Sequence, residues 1–255
     1  MKYYNTCRVC NSDDVITHGA ILSPFLTYRI FNIIPTCVSK LYDMENGINY
    51  FPCLTIGCKK CNFIGCNILF DDDEMIKYYK NYMKEDYIIE RRLFDPSFNI
   101  SNIKRVCITK TEDWILYYLS SAPKTVLDFG ACENTHTPFK NIADITLVDI
   151  GQCITDNKTF DLLSCLHVLE HVPDIQKTLD TIFTFTFKYA YFEVPHESFL
   201  KKYSTLEEQV DNKEFWHEHI NFFNLNNFSR LFNDKAVVVA SHTNNTIIQL
   251  LLKKN

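Results

Sequence analysis

The sequence lacks an excess of charge of either sign. Its 255 residues include 26 lysines and arginines against 31 aspartates and glutamates, and this leaves a net charge of -5 with both signs interspersed. A nucleic-acid-binding stripe or a polybasic membrane segment would need clustered basic residues, so we expect neither kind of partner. No apolar run is long enough to span a bilayer. With 46% hydrophobic residues, the chain can bury a sizeable core, as one large domain or as a domain with a small module.

A signal peptide is another feature that the sequence lacks. The N-terminus, MKYYNTCRVC, has polar residues and cysteines where a signal peptide needs an unbroken apolar stretch. We therefore expect a cytoplasmic protein. Its eleven cysteines are odd in number, and in a reducing compartment this favours thiols or metal ligands over a disulfide framework.

Two C-x2-C pairs predict a zinc site in the N-terminal part of the chain. CRVC contains Cys7 and Cys10, and CKKC contains Cys58 and Cys61. A tetrahedral zinc ion needs four soft ligands at about 2.3 Å, and each C-x2-C pair supplies two sulfur atoms from one tight turn. A single pair would also suit a redox dithiol, but two pairs of matching spacing favour structural zinc.

Two alternatives to this zinc site stay open. Cys53 and Cys66 flank the second pair and can substitute as ligands, although neither forms a C-x2-C pair. A zinc ribbon that binds nucleic acid would need basic and aromatic residues interleaved around the metal. The stretch ILSPFLTYRIFNIIPTC offers apolar packing instead.

The pattern along the chain indicates three parts. We assign residues 1–70 to a zinc-binding module and residues 71–122 to a helical connector. The connector opens with a helix over residues 71–92, whose acidic start suits the positive pole of a helix. A second helix, TEDWILYYLSSA, stops at Pro123. Residues 123–255 form the remaining domain.

Apolar strands alternate with helices in this last part. The pattern predicts an open, mostly parallel, Rossmann-like α/β sheet with both faces covered. The last two strands, AVVVA and TIIQLLLK, are joined by SHTNN, which is too short for a helical crossover, so they should be antiparallel neighbours. The earlier predicted strands are TVLDFG, DITLVDI, FDLLSCLH and KYAYFEV.

The segment VLDFG, which ends the first of these strands, suits a turn that binds a cofactor. In an open parallel sheet, ligands bind beyond the carboxyl ends of the strands, and the turn must let a ligand approach the backbone. Gly130 removes the side chain that would block this approach, and Asp128 can orient the loop or bind a cofactor amine. About 20 residues further on, Asp149 follows the strand ITLV, where a carboxylate can accept both hydroxyls of a ribose. Taken singly, a turn cap and a solvated strand end are the simpler interpretations; the spacing of the pair favours a site.

These motifs resemble those of the class I S-adenosylmethionine-dependent methyltransferases. VLDFG is similar to their first motif and Asp149 to their ribose-binding acid, and FDLLSCLHVLEHVPD closely resembles the fourth-strand segment of the type 11 group. Such a resemblance implies S-adenosylmethionine as the cofactor. It also implies that Phe129 and Gly130 lie against the methionyl part, Ile150 against the adenine, and the backbone around Cys165 to His167 near the amino acid end.

The turn departs from that family at two positions. Cys132 and Asn134 stand where glycine usually repeats. Asparagine tolerates left-handed backbone better than most residues, and cysteine is small, so the turn can still form. A relic would be expected to lose its partner motifs as well, and here they are intact.

Nearly the whole chain resembles one subgroup, the zinc-containing methyltransferases that modify sugars in antibiotic and cell-surface carbohydrate pathways. The double knuckle followed by SPF and the late segment FWHEHINFFNLNNFSRLF carry this resemblance. It implies that the zinc module helps to close the site over the substrate. It also implies that the EH pair, Glu218 and His219, serves proton transfer.

Methyl transfer needs a base when the acceptor is a neutral hydroxyl or a carbon acid. The candidates are His196, just past the strand YFEV, and His217, Glu218 and His219 in WHEHI. Histidine suits the task because its unperturbed pKa lies near working pH and a neighbouring carboxylate can hold its tautomer. Each of these residues is also explicable as a surface or hydrogen-bonded group.

The methyl acceptor stays open at this point. We expect a small molecule of a carbohydrate or capsule pathway, methylated at a carbon of a nucleotide-linked keto-sugar or at an oxygen. An alternative is the oxygen of a small capsular precursor that bears a phosphate or phosphoramidate, which would need no base if it is already ionised. A rival from another class is a zinc-organised binding protein that keeps the fold without catalysis.

Overall fold

A computed structural model describes residues 2–32, 42–43, 47–48, 51–82, 84–98, 108–131, 133–149 and 158–255. Its strands are β1 Lys2–Tyr3, β2 Val15–Leu22, β3 Tyr42–Asp43, β4 Gly47–Ile48, β5 Pro52–Cys58, β6 Ile64–Cys66, β7 Ile68–Leu69, β8 Thr125–Phe129, β9 Asp144–Val148, β10 Thr159–Leu166, β11 Thr186–Pro195, β12 Phe215–Trp216, β13 Asn221–Phe222, β14 Ala236–Thr243 and β15 Ile247–Lys254. Its α-helices are α1 Pro24–Phe31, α2 Asp72–Tyr79, α3 Glu85–Phe94, α4 Ile108–Tyr118, α5 Ile175–Thr184, α6 Ser198–Lys202, α7 Leu206–Asp211 and α8 Leu225–Arg230.

The chain folds as two compact units. The first comprises Met1–Cys7, Asn11–Lys104 and Tyr203–Asn221. The second comprises Arg8–Cys10, Arg105–Lys202 and Phe222–Asn255. None of the helices in the described parts of the chain is long and apolar enough to cross a membrane.

The second unit is built on a six-stranded sheet in the order β14-β15-β11-β10-β8-β9. Strands β9, β8, β10 and β11 run parallel, and β15 pairs antiparallel with both β11 and β14. The predicted Rossmann-like α/β sheet with an antiparallel last strand is therefore confirmed. Asn244 closes the β14–β15 hairpin, because its side-chain oxygen accepts hydrogen bonds from the backbone of Thr246 at 2.8 Å and Ile247 at 3.0 Å.

Helix α5 follows β10 and packs its apolar face into this unit. Asp174 caps it by accepting a hydrogen bond from the Lys177 amide at 2.9 Å. Ile175, Leu179 and Ile182 recur at helical spacing and are fully buried. This amphipathic spacing is what makes the helix cover the sheet and lets β11 return parallel to β10.

The first unit is built on a five-stranded sheet in the order β12-β2-β5-β6-β13. The late segment joins it, because β12 pairs in parallel with β2. Trp216 is fully buried there and donates its indole N–H to Thr55 at 2.8 Å. A side chain at Gly57 would lie 2.3 Å from Val210 of α7. Helix α7 and strand β12 are therefore closely packed on the same sheet that carries Cys58 at the end of β5.

The helix expected over residues 71–92 is two helices, which corrects that prediction. Helix α2 ends at Tyr79, and Asn81 adopts a left-handed backbone with φ 56° before α3 begins at Glu85. Arg29 of α1 donates hydrogen bonds to the backbone carbonyls of Tyr78 and Lys80, and forms an ion pair with Glu90 at 2.5 Å. These contacts satisfy carbonyls that a continuous helix would have bonded internally, so the break is stabilised by packing.

Candidate functional site

The four predicted zinc ligands converge. The sulfur atoms of Cys7, Cys10, Cys58 and Cys61 all lie within 4.8 Å of one another, and those of Cys7 and Cys61 are 3.5 Å apart. Four sulfur atoms at about 2.3 Å from one tetrahedral ion would be separated by about 3.8 Å. The donor set and its dimensions therefore fit zinc.

The two C-x2-C turns have the same local geometry. The Cys7 carbonyl accepts a hydrogen bond from the Asn11 amide at 2.9 Å, and the Cys58 carbonyl accepts one from the Asn62 amide at 2.8 Å. Both asparagines are left-handed, with φ 55° and 56°. Asparagine tolerates this conformation at lower cost than most residues. The shared asparagine after each pair was a local signal that spacing alone did not use.

Cys53 and Cys66 lie outside this cluster. They are buried on the neighbouring strands β5 and β6, where Cys66 is opposite Thr55. A hydrogen bond from Cys66 and burial raise the pKa of the Cys53 thiol. The two thiols therefore contact each other, and the group of four is complete without them.

In the second unit, Gly130 and Asp149 are brought together at the carboxyl ends of β8 and β9. The Gly130 amide donates to the Val148 carbonyl at 2.7 Å, and Asp149 is the next residue along that chain and is exposed. Gly130 has φ 83°, and a side chain there would lie 2.4 Å from Val168. Both the backbone conformation and the space therefore require glycine.

The carboxyl group of Asp128 is turned into the second unit. It is 3% exposed and accepts hydrogen bonds from Ser164 at 2.6 Å and from Thr137 at 2.5 Å. Burial raises its pKa, although both hydroxyls favour the ionised form. Of the two roles left open for Asp128, this geometry supports the orientation of the loop. Phe129 is buried too, with its ring 6.3 Å from that of Phe185.

His167 lies just beyond β10, and Cys165 within that strand is fully buried. The two ring nitrogens of His167 face carboxylates: Nδ1 lies 3.3 Å from Glu170 and Nε2 lies 3.1 Å from Glu193. Because a carboxylate only accepts, both nitrogens must donate, so the ring is an imidazolium. Desolvation opposes this charge, but the bonds to the two glutamates raise the pKa of His167 to about 10.

Sequence reasoning missed Glu170 and Glu193. Both are fully buried, and Glu193 also accepts hydrogen bonds from Tyr191 and, at 3.0 Å, from Gln249. The signal was available, since an acid in the apolar strand YFEV must find partners when the strand is buried on both faces. Which partners it finds depends on the neighbouring strands.

His196 follows β11 at the carboxyl edge of the sheet in the second unit. Its Nδ1 is 2.8 Å from the Asn244 carbonyl, which can only accept, so Nδ1 carries a proton. A neutral His196 then presents the lone pair of Nε2, which is the form that a base requires.

His217, Glu218 and His219 all belong to the first unit. Arg91 lies 3.0 Å from the Glu218 carboxylate, which also accepts a hydrogen bond from Tyr78 at 3.2 Å. Burial opposes ionisation, but Arg91 lowers the pKa of Glu218 to about 2, with help from the two histidines. Arg91 and Tyr78 were not identified from the sequence, because they lie far from Glu218 along the chain.

The three residues of this segment are therefore not equivalent as bases. Glu218 is held ionised by Arg91 and has little tendency to take up a proton. Nδ1 of His217 accepts a hydrogen bond from the His219 amide at 3.2 Å, so a neutral His217 carries its proton on Nε2.

Two of the residues named from the sequence, Cys132 and Ile150, lie outside the described residues. The other predicted residues of the cofactor turn occupy the carboxyl ends of β8, β9 and β10 in one unit. An exposed carboxylate beside this turn suits a nucleoside ligand whose ribose hydroxyls need an acceptor.

A family model described as "Methyltransferase domain" matches residues 93–236, which is more than half of the chain. The comparison with curated proteins gives no match.

Several solved structures resemble this chain at low identity. Magnesium protoporphyrin IX methyltransferase from Synechocystis PCC 6803, with bound SAH, is 11% identical over 72% of this chain and 100% of its own, with a TM-score of 0.46. The plantazolicin methyltransferase BpumL, in complex with a triazolic desmethylPZN analog and SAH, is 12% identical over 66% of this chain and 91% of its own, with a TM-score of 0.44. An rRNA methylase from Escherichia coli is 16% identical over 67% and 71%, with a TM-score of 0.38. These likenesses are too distant to assign an acceptor to this chain.

The cysteine cluster predicts a bound metal. Protein purified without chelators should contain one zinc ion per chain, and Cys58→Ser should lose it and unfold at a lower temperature, because ligand binding is coupled to folding. Cys165→Ser, which removes a buried thiol outside the cluster, should keep the zinc. Metal analysis and thermal unfolding test this, and zinc-free wild-type protein would contradict it.

The environment of His167 predicts a dependence of stability on pH. A pKa raised from about 6.5 to about 10 gives a contribution that is complete below pH 6.5 and is lost as the pH rises through 10. The destabilisation caused by His167→Gln in urea unfolding should therefore be largest near pH 6 and should shrink steadily between about pH 6.5 and 10. His242→Gln, at an exposed site on β14, is the control, and an equal pH trend in both variants would refute the assignment.

Proposed function

Because this chain belongs to the methyltransferase domain family and is a methyltransferase that uses S-adenosylmethionine, we propose that it methylates a small intermediate of a carbohydrate or capsule pathway. Two features support this acceptor. The sequence carries the double knuckle with SPF and the WHEHI segment of zinc-containing sugar methyltransferases. The structure packs that late segment on the sheet that also carries the second knuckle. The packing of the late segment onto the knuckle-bearing sheet is the observation on which the acceptor class depends most.

We assign the cofactor to the carboxyl edge of the sheet in the second unit. The turn at Gly130 admits the methionyl part against the backbone, next to Phe129, and Asp149 accepts the ribose hydroxyls. The backbone around Cys165 to His167 then lies near the amino acid end of the cofactor. Asp128 orients the turn through Thr137 and Ser164.

We assign the four cysteines to a structural zinc ion. Four sulfur ligands leave no open position for a substrate, so the ion would stabilise the knuckles and take no part in methyl transfer. Each turn keeps its cysteine backbone in place through the bond from the following asparagine.

Two histidines are proposed as the base for an acceptor that must lose a proton. His219 is adjacent to Glu218, which Arg91 keeps ionised, and a neighbouring carboxylate can hold the tautomer of an imidazole. His196 has its tautomer set by the Asn244 carbonyl. Glu218 and His217 then hold His219 in position and contribute charge beside its imidazole ring. A phosphate- or phosphoramidate-bearing acceptor remains the second candidate, and it would need neither histidine if it is already ionised.

The acceptor class can be tested directly. Release of the demethylated cofactor should be measured with nucleotide-linked keto-sugars, with free sugars and with small phosphate- and phosphoramidate-bearing sugars. Turnover with a member of the first two groups supports the proposal, and turnover with the last group supports the second candidate. Turnover with RNA or peptide alone would overturn both.

The ribose assignment predicts a loss of affinity in Asp149→Ala. Leaving the ribose hydroxyls without their acceptor should weaken binding of S-adenosylhomocysteine by about 1 to 3 kcal/mol. Asp144→Ala is the matched control, because Asp144 begins the same strand and is bonded to Lys158 at 2.6 Å. Calorimetry that gives equal affinity for wild type and Asp149→Ala would make the ribose assignment wrong.

The base assignment predicts a selective loss of turnover. With an acceptor that must lose a proton, His219→Ala or His196→Ala should lower kcat by about 100-fold and leave the Kd of the cofactor nearly unchanged. A histidine base should also give the rate a limb near pH 6.5, shifted by its surroundings, whereas an ionised phosphate-type acceptor should give a rate nearly flat between about pH 7 and 9. Near-normal kcat in both variants would exclude both histidines as the base.

A further inference from the structure

A fully buried carboxylate, Glu193, lies within β11 and has no part in the cofactor assignment above. Burying a charge is costly unless hydrogen bonds and an opposite charge compensate it. Tyr191 and Gln249 both donate to its Oε2 atom, and the Gln249 side chain also contacts the Tyr191 hydroxyl at 2.5 Å. Its Oε1 atom faces the His167 ring at 3.1 Å.

Glu193 also holds the backbone of His167. The His167 amide donates to the Glu193 carbonyl at 2.9 Å, so main chain and side chain of one residue are both bonded to the other. His167 has φ 53°, in the left-handed region that few residues other than glycine and asparagine adopt. The contacts with Glu193, together with the one to Glu170, offset the cost of this conformation.

The residue after His167 shapes the cofactor turn. Val168 is buried, and its Cγ2 atom occupies the space beside Gly130, 2.4 Å from where a side chain on Gly130 would begin. A rotation of the backbone at His167 would move Val168 and so change the room at Gly130. Contacts thus run without a break from Gln249 in β15, through Glu193 and His167, to the turn that follows β8.

We propose that Glu193 and Gln249 are positioning residues for the cofactor turn, which they hold in its binding geometry through His167 and Val168. This rests on the proposed role of Gly130 beside the cofactor. If the contacts of Glu193 with Tyr191, Gln249 and His167 serve stability alone, their loss will lower the unfolding temperature without changing the affinity of the folded protein for the cofactor.

A double-mutant cycle on the full chain distinguishes a positioning role from a purely stabilising role. The Kd of S-adenosylhomocysteine is measured by calorimetry for wild type, Glu193→Gln, His167→Gln and the double variant. Glu193→Gln keeps the size of the side chain but removes the charge that holds the imidazolium. Each single variant should bind about tenfold more weakly, and the double variant no more weakly than either single one, because both changes break the same connection.

Asp161→Asn is the matched control. Asp161 is a carboxylate at the opposite, amino end of the sheet, bonded to Lys188 at 2.6 Å and to the Lys124 amide at 2.9 Å. Its replacement should lower stability and leave the Kd unchanged. Gln249→Met serves if Glu193→Gln does not fold, since it removes one donor to Glu193 at similar volume, and it should weaken binding by about threefold.

Each outcome has one meaning. Wild-type protein that fails to bind S-adenosylhomocysteine overturns the cofactor assignment itself. If wild type binds and Glu193→Gln binds with equal affinity, the positioning role alone is overturned. Where Glu193→Gln does not fold, equal affinity in Gln249→Met has the same meaning. Losses that add in the double variant also overturn the positioning role, because Glu193 would then act independently of His167.

Discussion

The architecture of the second unit depends on the burial of one negative charge. Glu193 has no exposed surface, so no bulk water solvates it. Its partners therefore come from three strands: Tyr191 beside it in β11, Gln249 in β15, and His167 after β10. The antiparallel strand β15 therefore contributes more than backbone pairing, because the side-chain amide of its Gln249 donates a hydrogen bond to the Glu193 carboxylate.

The first unit solves a similar problem with arginine. Arg91 pairs with the partly buried Glu218 and stacks its guanidinium 4.9 Å from the Phe25 ring, and Arg29 pairs with Glu90 while it caps α2. Arginine suits both places because its planar group satisfies several acceptors at once and packs on aromatic faces. The ion pair with Arg91 keeps Glu218 ionised. The WHEHI segment therefore carries an ionised Glu218 between two histidines.

Local patterns predicted the six strands of the sheet in the second unit and none of the strands in the first unit. They failed at the expected helix over residues 71–92, where Ile76 is exposed and the buried faces are set by Tyr78 and Tyr87. The helical spacing of apolar residues continued through the break, and neither Lys80 nor Asn81 is a strong helix breaker that would have marked it. The bonds from Arg29 that end α2 come from another part of the chain, so no window of sequence around the break contained them.

The sequence by itself determined the four cysteines that converge, the parallel sheet with its antiparallel end, and the glycine turn followed by Asp149. Each of these depends on residues at fixed spacing, and spacing is a local property that survives without coordinates. Only the tertiary structure decided that Asp128 turns inward, that Glu218 is held ionised by Arg91, and that the late segment packs beside the knuckle-bearing strands. Charge state and strand partnership arise from contacts between residues that are distant in sequence, and no local pattern encodes which of many possible partners each residue will meet.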